Sequence, residues 1–211
     1  MPWSVRAVPL PDGDRPADLW IDAAGCVSAG PVPDAEPLPG RYVAPGLVDA
    51  HAHPALGPGP VPRDDDETMT ELAAWAAAGV ALVRDTGSPG GSTLGLGLRP
   101  GLPRLQAAGR FLAPAGRYFP APLAHRLGVP VLAGTDTAGT IVREVALLAE
   151  HGLAPAAALA AATTTGYRFL GEPFDQPGRP ATLVTYQEDP REDLEVLSSP
   201  CAVLIDGARV R

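Results

Sequence analysis

The sequence predicts an α/β protein in which βα units occupy the middle of the chain and a small sheet structure is built from both ends. Between residues 45 and 177, helical patterns alternate with short apolar runs of strand length, and this alternation is typical of parallel βα units. Residues 1–44 consist of short strand-like runs and turns without a helical period, and residues 178–211 return to strands. We therefore expect three regions, 1–44, 45–177 and 178–211, with the first and last joined in one β structure.

Composition and charge exclude several classes of partner. The 211 residues are 45% hydrophobic, which is enough for a packed core. The formal net charge of −8 argues against binding to nucleic acid or to an anionic membrane surface. No apolar run is long enough to span a membrane and the first residues lack the apolar core of a secretory signal, so we expect a cytoplasmic protein. Cys26 and Cys201 are then expected to be reduced thiols.

The elements of the two ends follow from apolar runs bounded by turn residues. We predict strands at 3–9, 18–22, 181–186 and 202–205, with a proline-rich connector at 31–40. A sheet shared by these segments requires the first strands to pair with the last ones, because a two-stranded piece is marginal alone.

The middle region is predicted to alternate strands with helices. Its strands are expected at 47–53, 80–84, 110–112 and 129–133, and its helices at 64–78, 122–127, 140–150 and 155–165. An acidic run at 64–67 favours a helix start, because negative charge on the first turn interacts well with the helix dipole. Gly79 is the expected stop of that helix, and Pro155 suits a first helical position.

His51-Ala52-His53 is the sharpest local signal for chemistry. Residues two apart on a strand point to the same face, so both imidazoles are expected to project together. They would do so at the carboxyl end of a parallel strand, where α/β folds place their sites. Neutral imidazole suits Zn, Fe, Ni or Co. An isolated His-x-His pair also fits an ordinary strand.

The stretch 42–53 resembles the first barrel strand of the amidohydrolase superfamily nearly residue for residue. In that family a Pro-Gly-aliphatic-aliphatic-Asp segment leads into a His-x-His pair that binds the more buried metal. The resemblance is closest to imidazolonepropionase-like and prolidase-like members. Further segments look like the second, third and eighth barrel strands, the closing helices and the end of the small β-sandwich, namely 78–87, 109–116, 128–136, 144–163 and 178–210.

The resemblance implies a partial (β/α)8 TIM-type barrel, made of strands 1–3 and 8, with a small β-sandwich built from both termini. It implies that His51, His53 and Asp136 bind a divalent metal, zinc first and Fe, Mn, Ni or Co as alternatives. Asp136 would also accept the proton of the attacking water. By itself, Asp136 could instead cap the helix that starts near residue 140. Arg84 and Asp85 end the second strand, where they could touch substrate or form a buried ion pair.

The chain also departs from the family pattern. Roughly 80 residues separate His53 from Asp136, whereas seven βα steps need on the order of 200. Strands four to seven are therefore expected to be missing between about 117 and 123, together with the family's bridging carboxylated lysine and the histidines of strands five and six. The sequence contains no lysine, so its 16 cationic side chains are all arginines. His125 and His151 are expected on outer helices and do not replace the lost ligands.

Two functions remain open at this point. The first is a metal-dependent hydrolase that acts on the C–N bond of a small amide or dipeptide-like substrate. The second is a catalytically inactive remnant or a mononuclear metal-binding scaffold that associates with another chain. A half-barrel would expose an apolar inner face and open strand edges, so with either function we expect the chain to pair with a second copy or to be poorly soluble.

Overall fold

The structure is a computed structural model, and it describes residues 1–58, 61–96, 99–108, 130–136, 139–172, 174 and 176–211. Its strands are β1 (Trp3–Pro9), β2 (Ala17–Ile21), β3 (Val27–Ser28), β4 (Glu36–Pro37), β5 (Tyr42–Pro45), β6 (Leu47–Ala52), β7 (Leu56–Gly57), β8 (Val61–Pro62), β9 (Val80–Asp85), β10 (Arg104–Ala107), β11 (Leu183–Tyr186), β12 (Ala202–Ile205) and β13 (Ala208–Arg209). Its α-helices are α1 (Asp65–Ala77), α2 (Ile141–Glu150), α3 (Pro155–Ala161) and α4 (Thr164–Leu170). Short 3-10 helices cover Pro89–Gly95 and Leu194–Ser198.

Strands from both ends of the chain share one sheet, which we call the terminal sheet. Its order is β13-β12-β11-β5-β1-β2-β3, with β4 added to β1. The ends meet at β5, where Tyr42 lies opposite Tyr186 in an antiparallel pair and opposite Val8 in a parallel one. Side chains from both ends then bury one apolar cluster, made of Trp3, Val5, Ala7, Ile21, Val27, Leu38, Ala181, Leu183, Ala202 and Leu204. The expected pairing of the first strands with the last ones is confirmed.

The middle of the chain forms a second, parallel sheet in the order β10-β9-β6. The segment 130–136 lies along the other side of β6, where the Ala50 amide donates to the carbonyl of Ala133 at 2.9 Å and the Asp136 amide donates to the carbonyl of His51 at 2.7 Å. A parallel bridge joins Ala52 to Asp136. The spatial order is therefore 130–136, β6, β9, β10, which gives a mixed α/β fold with a curled, half-barrel sheet.

The third strand of the parallel sheet, β10, was not predicted from the sequence. β10 pairs with β9 so that Arg104 lies opposite Leu82, whereas the predicted strand 110–112 and the predicted helix 122–127 lie outside the described residues. β10 lacks the apolar run by which strands were predicted, because two of its side chains are polar and form hydrogen bonds with residues distant in the sequence. Arg104 donates to Asp206, and the side-chain amide of Gln106 donates to the carbonyl of Leu170 at 3.2 Å.

Local signals placed the first helix correctly. The Asp64 carboxylate accepts a hydrogen bond from the Glu67 amide at 2.8 Å, and the Glu67 carboxylate accepts one from the Asp64 amide at 3.0 Å. This reciprocal pair satisfies two amide groups that the first helical turn leaves without backbone partners. Gly79 follows the helix with φ 96°, in the left-handed region that favours glycine. The acidic run 64–67 is therefore explained by helix capping.

The single helix predicted over 155–165 is wrong, because the chain divides there into α3 and α4. The carbonyl of Ala161 accepts from the amide of Ala133 at 3.2 Å, and the carbonyl of Ala162 accepts from the amide of Val48 at 2.7 Å. Because these carbonyls accept hydrogen bonds from the sheet, they are not available to continue the helix, and the helix ends there. Among the described residues, no helix combines the length and apolar character that crossing a membrane requires.

The expected apolar inner face is not found in the part of the chain that the structure describes. The large hydrophobic side chains exposed there are Met1, Val61, Leu94 and Phe169. None of them lies on β6, β9 or β10. The exposed side chains on these strands include His51 and Arg84, which are polar.

Candidate metal site

β6 presents the two histidines at its carboxyl end. His51 lies within the strand and His53 follows it directly. The side chain of His53 is 2% exposed, whereas that of His51 is 51% exposed. The two rings are 5.5 Å apart between centroids and nearly perpendicular. Both imidazoles therefore lie at the strand end, one buried and one open to solvent.

The segment 130–136 brings Asp136 to the same place. Its Oδ1 atom lies 3.3 Å from Nε2 of His53 and 3.6 Å from Nε2 of His51. One ligand atom from each of the three residues lies within 4.8 Å of the others. The alternative role for Asp136 as a helix cap is wrong, because α2 is capped by Thr140, whose hydroxyl accepts from the Arg143 amide at 3.2 Å.

The distances from Asp136 to the two imidazoles, and the chemistry of the three side chains, fit a divalent metal ion. Two bonds of about 2.1 Å that meet at a tetrahedral angle separate their ligand atoms by about 3.4 Å. The distances from Asp136 to the two imidazoles, 3.3 and 3.6 Å, bracket that value. Two nitrogen donors and one carboxylate also form a ligand set typical of catalytic zinc, in which a fourth position takes water or substrate.

The hydrogen bonds of His53 orient its ring for this role. Nδ1 lies 2.7 Å from the carbonyl oxygen of Gly87, which can only accept, so Nδ1 carries a proton. In the neutral ring this leaves the lone pair on Nε2, the atom that approaches Asp136. The lone pairs of His53 Nε2 and Asp136 Oδ1, two atoms that lie 3.3 Å apart, repel each other unless a proton or a cation lies between them. Thr86 adds a hydroxyl 3.2 Å from the same Nε2 atom.

The surroundings of His51 lower its pKa, which favours the neutral form that can bind metal. Partial burial is the main cause that lowers the pKa of His51 below its usual value, and the positive charge of Arg84 adds to this effect. The Asp136 carboxylate acts in the opposite direction and raises that pKa. A neutral imidazole keeps a lone pair for coordination.

Asp49 is a residue of this site that the sequence interpretation missed. It is 2% exposed, and its Oδ1 accepts hydrogen bonds from the amides of His51 at 3.2 Å and Thr135 at 3.1 Å. Its Oδ2 accepts a third bond from the hydroxyl of Thr135 at 2.6 Å. Burial raises the pKa of Asp49 to about 6, against the lowering effect of these hydrogen bonds. Its position two residues before His51, on the same strand, was the available signal.

Gly134 is the second missed residue, and its role depends on a close approach of two backbones. A Cβ atom at this position would lie 2.7 Å from Cβ of His51 and 2.9 Å from its amide nitrogen. Real side chains do not reach such distances, so any larger residue must push the segment 130–136 away from β6. The glycine thereby allows Asp136 to reach the imidazoles.

Replacing Gly134 by alanine is therefore expected to lower the affinity for Zn²⁺ by about 10-fold or more, since overpacking of this kind costs about 1–3 kcal/mol. Gly30→Ala is the matched control, because nothing lies within 4 Å of a Cβ atom at that position. Competition titration of both variants with a zinc chelator measures the difference. Equal zinc affinity in the two variants would contradict the close approach described here.

The remaining candidates lie outside the three-residue cluster. Asp85 is fully buried and accepts hydrogen bonds from the hydroxyl of Thr93 and the amide of Gly87. Arg84 is exposed at the end of β9, and the ion pairs between described residues do not include one between it and Asp85. His151 is an exposed residue that caps α2 through Nδ1, 2.8 Å from a carbonyl oxygen. His125 lies outside the described residues.

A cleft of about 130 Å³ opens beside the cluster, lined by His53, Leu56, Pro58, Arg63, Glu71, Trp75, Thr135, Asp136 and Gly139. Small-molecule pockets usually measure about 300 Å³ or more, so this cleft admits only part of a substrate. A larger cavity of about 340 Å³ lies between the terminal sheet and α4. None of the three candidate ligands lines it, whereas His53 and Asp136 line the smaller cleft.

Comparison with other sequences gives short matches. No protein-family model matches the chain. Curated relatives include uncharacterized proteins of Mycobacterium tuberculosis and Mycobacterium bovis, to which the chain is 41% identical over 117 residues. These matches cover 54% of this chain and 30% of each relative. The chain therefore matches less than a third of the length of these relatives.

Comparison with solved structures gives matches over the whole chain. A protein described as a prolidase from Bifidobacterium longum has a TM-score of 0.76 at 16% identity, covering 99% of this chain and 94% of that one. A Xaa-Pro dipeptidase with bound methionine has a TM-score of 0.72 at 14% identity, covering 99% of both chains. The ochratoxinase of A. niger has a TM-score of 0.68 at 14% identity, covering 100% and 96%. At these identities the likeness defines the fold, which is that of amidohydrolase- and prolidase-like proteins.

Proposed function

We propose that this protein binds one divalent metal ion per chain through His51, His53 and Asp136 and uses it to hydrolyse the C–N bond of a small amide. The observation that carries the proposal is the meeting of these three ligand atoms within 4.8 Å. Asp136 is distant in the sequence from His51 and His53, and the three meet at the carboxyl end of a parallel strand, where α/β folds place their sites.

The chemistry divides between the metal and the chain's own residues. When bound, the ion supplies a Lewis acid that polarises a carbonyl oxygen and makes a water molecule easier to deprotonate. The two imidazoles hold the ion, and the carbonyl of Gly87 keeps the ring of His53 in the required tautomer. The Asp136 carboxylate, 44% exposed, accepts the proton of the attacking water and returns it to the leaving nitrogen.

A single metal ion is proposed because of the residues that the chain contains. The sequence has no lysine, so a carboxylated lysine cannot bridge two ions. In the described part of the chain, His51, His53 and Asp136 form the one cluster suited to a metal. The absence of strands four to seven, proposed from the short spacing between His53 and Asp136, accounts for both features. Zinc is the first choice of ion, with Fe, Mn, Ni and Co as alternatives.

The substrate proposed is a small amide or a dipeptide-like molecule. Membership of the amidohydrolase superfamily, in its imidazolonepropionase-like or prolidase-like branch, is part of the proposal, and the fold shared with a Xaa-Pro dipeptidase supports it. Arg84 is exposed at the end of β9 and suits a carboxylate of the substrate. A direct substrate contact is not proposed for Asp85, which is fully buried. A cytoplasmic location for the reaction is also part of the proposal.

A metal-binding scaffold without turnover is the second candidate, and the openness of the site favours it. The His51 and Asp136 side chains are 51% and 44% exposed, and a site that admits bulk water loses much of the electrostatic stabilisation that catalysis needs. Both candidates bind metal, so turnover separates them.

Metal removal is expected to abolish hydrolysis, and readdition of Zn²⁺ is expected to restore it. The protein is dialysed against a chelator, reloaded with Zn²⁺, Mn²⁺ or Co²⁺, and analysed for metal per chain by mass spectrometry. Release of amine from Xaa-Pro dipeptides and N-acetyl amino acids then measures turnover. One ion per chain with metal-dependent turnover supports the hydrolase, and one ion without turnover supports the scaffold. A chain that retains no metal after reloading contradicts both.

A further inference from the structure

Asp49 is the one side chain for which the structure describes hydrogen bonds to both segments that carry the candidate ligands. In β6, Asp49 accepts a hydrogen bond from the amide of His51 at 3.2 Å. In the segment 130–136, the amide and the hydroxyl of Thr135 donate hydrogen bonds to Asp49 at 3.1 and 2.6 Å. Both carboxylate oxygens are therefore occupied by groups adjacent to, or part of, a candidate ligand residue. The two bonds to Thr135 join positions that lie 86 residues apart in the sequence.

The conformation of Asp136 needs such support. Its φ angle is 57°, in the left-handed region that a residue with a side chain rarely adopts. A conformation of this kind persists only when its surroundings hold it. On one side the amide of Asp136 donates to the carbonyl of His51 at 2.7 Å. On the other side the preceding residue, Thr135, is bound twice by Asp49.

We propose that Asp49 is a positioning residue, which acts through Thr135 to hold Asp136 at the distance from His51 and His53 that a metal ion requires. This inference rests on the proposed metal-dependent function and adds a requirement to it. The hydrogen bonds of Asp49 go to the backbone amide of His51 and to Thr135, and none goes to the side chain of a candidate ligand. Outer partners of this kind, when removed, typically cost metal sites about 10- to 100-fold in affinity.

We call the hydrogen bonds between Asp49 and Thr135 the clamp. The test uses three variants that change the clamp with little change in side-chain shape. Asp49→Asn keeps one acceptor oxygen and loses the charge and the second acceptor. Thr135→Val removes the hydroxyl and keeps the volume, and Thr135→Ser retains the hydroxyl as a rescue. Two controls remove comparable buried bonds in the C-terminal part of the chain. Asp189→Asn disturbs the pair with Arg191, and Thr185→Val removes the hydroxyl bound to the carbonyl of Pro39.

Zn²⁺ affinity is measured for each protein by competition with a chelator, and Co²⁺ is used as a spectroscopic probe of coordination. Asp49→Asn and Thr135→Val are each expected to lower Zn²⁺ affinity at least 10-fold and to change the visible spectrum of bound Co²⁺. Thr135→Ser is expected to stay within about 3-fold of the wild type, and the double variant Asp49→Asn/Thr135→Val to lose less than the product of the single losses. The controls are expected to lose stability without a change in affinity.

Hydrogen exchange of the Asp136 amide gives a readout that needs no metal. Its protection is expected to fall in Asp49→Asn and Thr135→Val and to persist in Thr135→Ser and in both controls. If the wild type binds no Zn²⁺, the proposed function fails while this comparison still decides the role of Asp49. If Asp49→Asn does not fold, the Thr135 pair decides it alone. Unchanged affinity and unchanged protection in Thr135→Val would overturn the inference.

Discussion

Replacing Asp136 by asparagine is expected to lower kcat/KM for amide hydrolysis by about 100- to 10,000-fold, the usual contribution of a general base. The variant keeps the size of the side chain and loses the charge that accepts a proton and binds the ion. Zn²⁺ affinity is expected to fall as well, because Oδ1 is one of three ligand atoms. Steady-state kinetics on the metal-loaded protein and a Zn²⁺ competition titration measure the two effects separately.

Asp14→Asn is the matched control for this experiment, because the side chain of Asp14 is 88% exposed. It is expected to leave both kinetics and metal affinity unchanged. A catalytic rate in Asp136→Asn within a factor of three of the wild type would exclude Asp136 as the proton acceptor. Loss of metal affinity together with a turnover that never depended on metal would instead place the hydrolysis elsewhere in the protein.

Replacing Leu204 by alanine is expected to lower the free energy of unfolding by about 2–5 kcal/mol, because a buried leucine leaves a cavity that the surroundings only partly fill. Leu204 is fully buried in β12, in the apolar cluster shared by both ends of the chain. Leu94→Ala is the matched control, since that side chain is 66% exposed and exposed substitutions usually change stability by less than about 0.5 kcal/mol. Urea denaturation measures both values.

A double-mutant cycle with Ile21→Ala tests whether the two ends form a single core. Ile21 is fully buried in β2 and belongs to the same cluster as Leu204. Substitutions in one core are expected to deviate from additivity by about 0.5–3 kcal/mol. Strict additivity, or two separate unfolding transitions for the two ends, would contradict the shared terminal sheet.

The sequence alone placed the elements whose signals are local. The first strand at 3–9 and the strand at 202–205 are confirmed, since each is an apolar run bounded by turn residues. Helix α1 is confirmed as well, because its cap is a bond between side chains and amides three residues apart. His51 and His53 were found in the same way, since two residues of a strand that share a face need no knowledge of the rest of the chain.

Only the tertiary structure decided how distant segments meet. The division of the predicted helix 155–165 depends on carbonyl groups that bind two separate strands. The clamp between Asp49 and Thr135 and the close approach at Gly134 join residues more than 80 positions apart. Hydrogen bonds within a turn are determined by neighbouring residues, whereas a contact between two segments depends on the path of the whole chain. The sequence pattern therefore pointed to His51 and His53, the resemblance to a known family added Asp136, and the fold brought to light Asp49, Thr135 and Gly134 beside them.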